Sequence, residues 1–199
     1  MNTDIFQEEA GNTELGAEER RDLIPSLTTR AELNEAERLT IHAARLWAMR
    51  RRVLERPDLL TDSFARELHK RMFHQVWRWA GRYRTTEKNL GWEVHRLTEG
   101  VRNAFDDAQA WTQYSTYPLH EAAVRLHHRL VAIHPWPNGN GRHSRLIADI
   151  LVTSRDGEVL TWGAGSDLIA AGGVRQRYIE AIRRADAGDF APLLAFARS

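Results

Sequence analysis

The sequence predicts an all-α fold, a helical bundle with one short β-hairpin, on three grounds. Apolar residues recur at intervals of three and four positions through most of the chain, which is the spacing that gives a helix one apolar face. Glycine and proline interrupt these stretches, as they do where helices end. Residues 82–97 have Thr, Tyr and Val near turn residues, which suits a short β-hairpin.

The N-terminal part predicts a polar arm followed by a long helix. Residues 1–33 are assigned to the arm because their first two thirds are acidic and polar, a composition typical of loosely ordered segments. Residues 34–199 then form one helical domain. Its first helix follows the apolar repeat from Ala36 to about Glu55, and Pro57 stops it.

The middle of the chain predicts two more helices, one on each side of the hairpin. Thr61 is a suitable N-cap for the first of them, and Gly81 ends it. The hairpin would turn at Asn89, which a glycine follows two positions later. Helical spacing returns from residue 98 to residue 114.

The C-terminal half predicts helices separated by two breaks. Residues 135–141 are rich in proline, glycine and asparagine and interrupt an otherwise apolar region. Residues 163–173 form the second break. Apolar residues at helical spacing predict helices at residues 119–130, 146–151, 174–185 and 190–197.

Composition narrows the class of protein. At 199 residues, with 42% hydrophobic and 28% charged residues, the chain suits one domain with a substantial core. A formal net charge of +1 gives no sign of a membrane or nucleic-acid partner, and the basic run at residues 50–52 suits a solvated helix end. The absence of cysteine excludes disulfides, zinc thiolate sites and thiol nucleophiles. With no long apolar run and no signal-peptide pattern, we expect a cytoplasmic protein.

The candidate chemistry is concentrated in residues 134–145, which read His-Pro-Trp-Pro-Asn-Gly-Asn-Gly-Arg-His-Ser-Arg. Glycines let backbone N–H groups approach an anion closely, and the amino end of the following helix adds partial positive charge. Arg142 and Arg145 stand three positions apart, so both guanidiniums leave one face of the first helical turn. Two guanidinium groups placed in this way can each bind a phosphate through two N–H groups, which suits a di- or triphosphate. His134 would stand at the edge of this anion site, where an imidazole can accept a proton from a hydroxyl.

This stretch resembles the signature of the Fic family, a His-Pro-aromatic start followed by Gly-Asn-Gly-Arg and a second arginine three residues later. The likeness extends from about residue 34 to the end of the chain. Within the family, the sequence is most similar to the subgroup called mobile mystery protein B. Seven positions agree with the signature: His134, Pro135, Gly139, Asn140, Gly141, Arg142 and Arg145.

The resemblance implies a protein adenylyltransferase, which transfers AMP from ATP to a hydroxyl of a target protein. His134 would be the general base that deprotonates this hydroxyl. The backbone at residues 139–141 would surround the α-phosphate, and the two arginines would hold the β- and γ-phosphates. Tyr178 would line the nucleobase pocket or, alternatively, pack as a core aromatic. The residues implied to contact the nucleotide are Asn138, Gly139, Asn140, Gly141, Arg142, Arg145 and Tyr178.

The resemblance also implies a role for the predicted hairpin. It would be a flap that docks the backbone of the target protein by strand addition, with Thr85, Thr86 and Asn89 on it. A plain surface hairpin without this role is the alternative.

Two residues depart from the family signature. Asn138 stands where the family has an acidic ligand for Mg²⁺, and an amide oxygen can coordinate this ion but brings no charge. We therefore expect weak Mg²⁺ binding and a slower or altered reaction. Trp136 replaces the usual phenylalanine, and its larger ring would still anchor the loop in the core.

The segment before the first long helix resembles the inhibitory motif of the family. Thr28 and Glu32 fit this motif, whereas Leu33 occupies the place of a small residue. The resemblance implies that Glu32 pairs with Arg145 and keeps the γ-phosphate from being held productively. The same segment also fits a capping box with Thr29 as N-cap, and the two roles are compatible.

Three alternatives remain open at this stage. A Fic scaffold that has lost catalysis would bind a nucleotide or a partner protein without turnover. Transfer of another nucleotide or of a phosphate group would use the same fold. A metal-dependent hydrolase is disfavoured because two of its candidate ligands are adjacent on a helix and cannot face one ion. Those candidate ligands are His120, His127, His128, His134 and His143.

Overall fold

The computed structural model describes residues 15–163 and 173–199, and this part of the chain is mostly helical. Its helices are α1 (Ala17–Arg21), α2 (Arg30–Ala48), α3 (Arg51–Leu54), α4 (Asp62–Phe73), α5 (Leu97–Gln113), α6 (Leu119–Ile133), α7 (Asn140–Thr153), α8 (Gly173–Asp186) and α9 (Ala191–Ala197). A 3₁₀ turn at Val94–Arg96 precedes α5. The predicted all-α class is confirmed. Among the described residues, no helix is both long and apolar enough to cross a membrane.

The core lies where α6 packs against α5 and α7, with α4 packed on α2, α5 and α7. On α4, Phe64, Leu68 and Met72 follow one another at intervals of four and are fully buried, so one stripe of the helix faces the core. Helix α7 is buried on nearly all sides, as expected for a helix at the centre of a domain. Its first turn is therefore held by rigid surroundings.

Helix boundaries follow the predicted caps better than the predicted lengths. Thr61 caps α4, since its Oγ1 accepts a hydrogen bond from the N–H of Phe64 at 3.2 Å. The chain leaves helical geometry at Phe73, before the expected stop at Gly81. The long helix expected as far as Glu55 is divided into α2 and α3, because Arg50 adopts an extended conformation with ψ of 136°.

The predicted hairpin at residues 82–97 is wrong. This segment is an irregular loop that leads into the 3₁₀ turn. The guanidinium of Arg84 is buried inside the loop and donates to the carbonyls of Thr86 and Trp92. A side chain therefore satisfies carbonyls that a hairpin would have paired with the opposite strand.

Part of the N-terminal arm is docked on the domain. Leu23 forms an antiparallel bridge with Trp77, and Glu19 of α1 makes an ion pair with Lys88 at 2.5 Å. The ion pair holds α1 against the loop at residues 82–93. Residues 1–14 lie outside the described residues, and the division of the chain after residue 33 remains a prediction.

Candidate functional site

The loop between α6 and α7 presents His134 at the end of a helix. Helix α6 ends at Ile133, and His134 adopts a left-handed conformation with φ of 55°. Its N–H still donates to the carbonyl of Leu130 at 3.1 Å, but Pro135 has no N–H with which to continue the helix. Left-handed residues other than glycine are uncommon and concentrate at functional sites.

The loop keeps its shape through Asn140 and Trp136. The amide of Asn140 donates to the carbonyl of Trp136 and accepts from its N–H, both at 2.9 Å. The ring of Trp136 is buried and stacks on His69 at 4.1 Å between ring centroids. Asn140 therefore contributes a structural side chain to the loop. Trp136 anchors the loop in the core, as expected.

Two glycines allow close approach at the start of α7. Gly139 has φ of 80°, and a Cβ there would lie 2.4 Å from the ring of Phe73. A Cβ on Gly141 would lie 3.5 Å from Nη1 of Arg145 and 3.7 Å from the hydroxyl of Tyr178. Gly141, Arg145 and Tyr178 therefore meet at the amino end of α7, where backbone N–H groups favour an anion.

The two arginines extend toward different neighbours. Nη1 of Arg142 donates to Oε2 of Glu37 at 2.6 Å, and its guanidinium lies 5.1 Å from the ring centroid of Phe73. The guanidinium of Arg145 lies 5.4 Å from the ring centroid of Tyr178. Burial lowers the pKa of Arg145, and the positive charge of Arg142 acts in the same direction. Arg142 therefore turns toward Glu37 and Arg145 toward Tyr178, and the binding of one polyphosphate by both arginines remains a prediction.

Tyr178 supports Arg145 from the side of α8. Its hydroxyl lies 3.1 Å from Nε2 of the buried His127, and burial raises the pKa of this hydroxyl. Asp149, one turn after Arg145 on α7, adds a negative charge that favours the charged guanidinium. The contact of Tyr178 with a nucleobase remains a prediction.

His134 is uncharged at neutral pH. Burial lowers its pKa to about 4, and the positive charges of Arg84 and Lys88 contribute to the shift. Nε of Arg84 also donates to the carbonyl of His134 at 2.8 Å. On the other side, a Cβ on Gly91 would lie 2.6 Å from the Cβ of His134. The loop at residues 82–93 therefore contributes to both the charge and the position of His134.

Asn138 does not fit the role of a metal ligand. Its Oδ1 accepts from the N–H of Gly139 at 2.5 Å and lies 3.4 Å from Nη2 of Arg142. The oxygen that would bind Mg²⁺ is therefore turned toward two donors, one of them cationic. Across residues 15–163 and 173–199, no three His, Cys, Asp or Glu side chains are grouped so that they could hold a metal ion.

Glu32 forms the capping box of α2 and does not pair with Arg145. Its Oε2 accepts from the N–H and hydroxyl of Thr28 at 2.7 and 3.0 Å and from the N–H of Thr29 at 2.9 Å. These bonds lower the pKa of this exposed carboxyl group. The predicted ion pair is wrong because the carboxylate satisfies backbone donors at the start of its own helix.

A different carboxylate of α2 reaches the site. Glu37 is only 4% exposed, and its two oxygens accept from Nη1 of Arg142 at 2.6 Å and from Nε1 of Trp77 at 2.7 Å. Five positions along a helix correspond to a rotation of about 140°, which separates Glu37 from Glu32. Helix α2 therefore contributes Glu37 to the site.

The residues expected on the flap lie on the exposed part of the loop. Thr85, Thr86 and Asn89 are all exposed, and Oγ1 of Thr86 donates to Glu19 of α1 at 3.2 Å. Because no hairpin forms here, the expected docking of a target by strand addition loses its structural basis.

The histidines proposed for a metal-dependent hydrolase do not converge. His128 bonds Asp186 at 2.8 Å, while Nε2 of His143 contacts the carbonyl of Ala65 at 2.9 Å. Each serves its local surroundings.

Three functional neighbours escaped the sequence analysis: Glu37, Arg84 and His69. A signal existed for Glu37, because it lies in register with Leu33 and Thr40 on the buried face of α2. An acidic residue on such a face needs a partner. His69 contacts the carbonyl of Asn138 at 3.2 Å, and neither it nor Arg84 has a comparable local signal.

Part of the chain matches a known protein family. Residues 59–152 match the Fic/DOC family. Over 148 residues the chain is 28% identical to protein adenylyltransferase Fic from Nematostella vectensis, covering 72% of this chain and 33% of that protein. The chain thus spans about a third of the length of this relative.

Solved structures show the same fold. The BepC protein of Bartonella tribocorum with bound AMPPNP superposes with a TM-score of 0.66 at 15% identity, covering 92% of this chain and 97% of that one. The N-terminal Fic domain of a Bep effector protein from Bartonella quintana with bound ADP gives a TM-score of 0.65 at 16% identity, covering 87% and 86%. The chain is therefore similar to the Fic/DOC family over residues 59–152, a stretch that includes His134 and both arginines.

Proposed function

We propose that this chain is a protein adenylyltransferase, which transfers AMP from ATP to a hydroxyl side chain of another protein. The observation that supports this most directly is an uncharged imidazole beside the glycine-lined start of a helix that bears two guanidiniums. His134 ends α6, and Arg142 and Arg145 leave the first turns of α7. The imidazole suits proton acceptance, and the other groups suit a polyphosphate.

In the proposed reaction, neutral His134 accepts the proton of the attacking hydroxyl as its oxygen bonds to the α-phosphorus. The bond from the α-phosphorus to the oxygen that bridges it to the β-phosphate breaks, and pyrophosphate leaves. Backbone N–H groups at residues 139–141 stabilise the charge on the α-phosphate. Arg142 and Arg145 hold the charge of the departing pyrophosphate.

The relatives support ATP as the donor. The protein from Nematostella vectensis is named a protein adenylyltransferase, and the two solved structures hold AMPPNP and ADP. The site has the chemistry to take the same class of ligand, and the target protein remains to be identified.

We further assign autoinhibition to Glu37 in place of Glu32. The carboxylate of Glu37 occupies the guanidinium of Arg142 at 2.6 Å. A phosphate that uses this fork must displace the carboxylate, so the apparent affinity for the nucleotide is lowered until Glu37 moves.

The proposed reaction is tested by incubating the purified chain with a cell lysate and ATP that is labelled at either the α- or the γ-phosphate. Relative to lysate without the added chain, we expect additional protein-bound label from α-labelled ATP alone, and loss of it in His134→Ala. The matched control is His42→Ala, because His42 is exposed on α2, and it should label as the wild type does. Label that persists in His134→Ala would remove the assigned base.

A second candidate is transfer of another group, or nucleotide binding without turnover. The amide at Asn138 favours this candidate, because the family signature has an acidic residue there. Transfer of γ-label indicates phosphate transfer, and label from α-labelled GTP or UTP indicates another nucleotide. Binding without any label indicates an interaction module.

A further inference from the structure

The orientation of the Asn138 amide is fixed by its neighbours. Both groups beside its Oδ1, the N–H of Gly139 and the guanidinium of Arg142, are hydrogen-bond donors. An amide in such surroundings must turn its oxygen inward. Its –NH₂ then has no hydrogen-bond partner within residues 15–163 and 173–199, although Asn138 is half-buried beside the anion site.

The surroundings of Asn138 disfavour a cation. A divalent ion on Oδ1 would have to approach Arg142, whose Nη2 lies 3.4 Å from that oxygen. In the nearby carboxylate of Glu37, one oxygen accepts a hydrogen bond from Arg142 and the other accepts one from Trp77. The backbone of Asn138 is likewise engaged, since its carbonyl lies 3.2 Å from Nε2 of His69. A hard cation needs several oxygen ligands, and this corner of the site supplies donors.

We infer that the site binds the nucleoside triphosphate without a protein-held metal ion, with the amide N–H groups of Asn138 acting as phosphate donors. This inference rests on the proposed function, because it concerns the same ligand. The positive charge that a metal would bring comes from Arg142, from Arg145 and from the amino end of α7. The site therefore selects the free anion at least as well as its Mg²⁺ complex.

Calorimetric titration with AMPPNP, in the presence of either EDTA or excess Mg²⁺, tests this inference. The wild-type chain should bind at least as tightly in EDTA as in Mg²⁺. Asn138→Asp keeps an oxygen for Gly139 and Arg142 but adds a negative charge near the phosphates. In EDTA this variant should bind on the order of tenfold more weakly than the wild type, with Mg²⁺ restoring affinity.

The matched control is Asn103→Asp, which makes the same change at an exposed position of α5 and should bind as the wild type does under both conditions. Wild-type binding that requires Mg²⁺ would overturn the inference and leave the proposed function standing. An absence of binding in both EDTA and Mg²⁺ would overturn both.

Discussion

At the scale of single residues, the proposed chemistry depends on one imidazole that stays uncharged. Burial and the nearby guanidinium of Arg84 lower the pKa of His134 to about 4. A base is active only when deprotonated, so a low pKa keeps it available across the physiological range. The same guanidinium holds the carbonyl of His134 at 2.8 Å, so one side chain contributes to both the charge and the position of the imidazole.

The pH dependence of transfer follows from this pKa. We expect the rate per folded molecule to be flat between pH of about 8 and about 5, because His134 stays neutral throughout. Removing the charge in Arg84→Gln should raise the pKa of His134, so the rate would fall as the pH drops below about 6. NMR titration of the imidazole, together with the pH–rate profile, measures both effects.

Arg84→Lys is the control for this prediction, because it keeps the charge and loses the fork. It should retain the low pKa of His134 while its transfer rate falls. Equal pKa values in wild type and Arg84→Gln would refute the role of the charge.

The position of His134 is tested separately at Gly91. A Cβ there would lie 2.6 Å from the Cβ of His134 and 2.9 Å from the carbonyl of Ile133. Gly91→Ala should therefore displace the imidazole and lower kcat by on the order of 10- to 100-fold. Gly188→Ala is the matched control, since Gly188 also has a positive φ, of 89°, but has open space around it.

Both glycine variants should lose about 1 kcal/mol of stability from the strained φ, and Gly91→Ala should lose more because its Cβ overlaps His134; urea unfolding measures both losses. Only Gly91→Ala should lose activity. Equal loss of activity in the two variants would show that the close approach to His134 is unimportant.

At the scale of secondary-structure elements, α2 carries two glutamates with different tasks. Glu32 begins the helix by accepting bonds from Thr28 and Thr29, and Glu37 occupies Arg142 from the buried face. The sequence assigned inhibition to Glu32 because a motif specifies spacing along the chain. It does not specify which face of the helix meets α7.

Neutralising each glutamate separates the two tasks. Glu37→Gln keeps an acceptor for Trp77 but releases the charge on Arg142, so we expect AMPPNP to bind on the order of tenfold more tightly. Glu32→Gln preserves the capping box and should leave the affinity unchanged. Calorimetry compares the two variants, and tighter binding of AMPPNP by Glu32→Gln would assign the autoinhibition to Glu32.

The elements also show how far sequence reasoning extends. Helices α4 to α9 follow from apolar periodicity, and Thr61 was recognisable as a cap because N-capping is local. The sequence alone did not exclude the hairpin at residues 82–97. In the structure the buried guanidinium of Arg84 donates to carbonyls of this loop, and no local sequence pattern predicts that contact. Motif residues in the loop at residues 134–145 were identifiable, but the neighbours from α2 and α4 depend on tertiary packing.

At the scale of the whole molecule, buried histidines make the stability of the domain depend on pH. Burial holds the pKa values of His69 and His127 well below 6.5 and that of His143 at about 4. These rings link the site to the core, through the stacking of His69 on Trp136 and the contact of His127 with Tyr178.

The resemblance of the whole chain to the mobile mystery protein B subgroup remains a prediction.

The free energy of unfolding should fall as the pH drops below 6.5. In this range the unfolded chain binds protons that the folded chain excludes, until the pH reaches the lower folded-state pKa. Each such histidine should therefore cost about 1.4 kcal/mol per pH unit. Urea unfolding followed by tryptophan fluorescence at pH values between about 7 and 5 measures the slope.

His143→Asn should reduce this slope, and the same change at the exposed His95 should leave it unaltered. A free energy of unfolding that is constant over this pH range would contradict the assignment of buried, neutral imidazoles.

The proposed function requires that the loop from His134 to the start of α7 binds a nucleoside triphosphate. A crystal structure of the chain with AMPPNP tests it most directly. We predict the α-phosphate at the backbone N–H groups of residues 139–141 and the β- and γ-phosphates on Arg142 and Arg145, with His134 at the edge. A nucleotide bound elsewhere, or arginines that remain on Glu37 and Tyr178 without touching phosphate, would contradict the account.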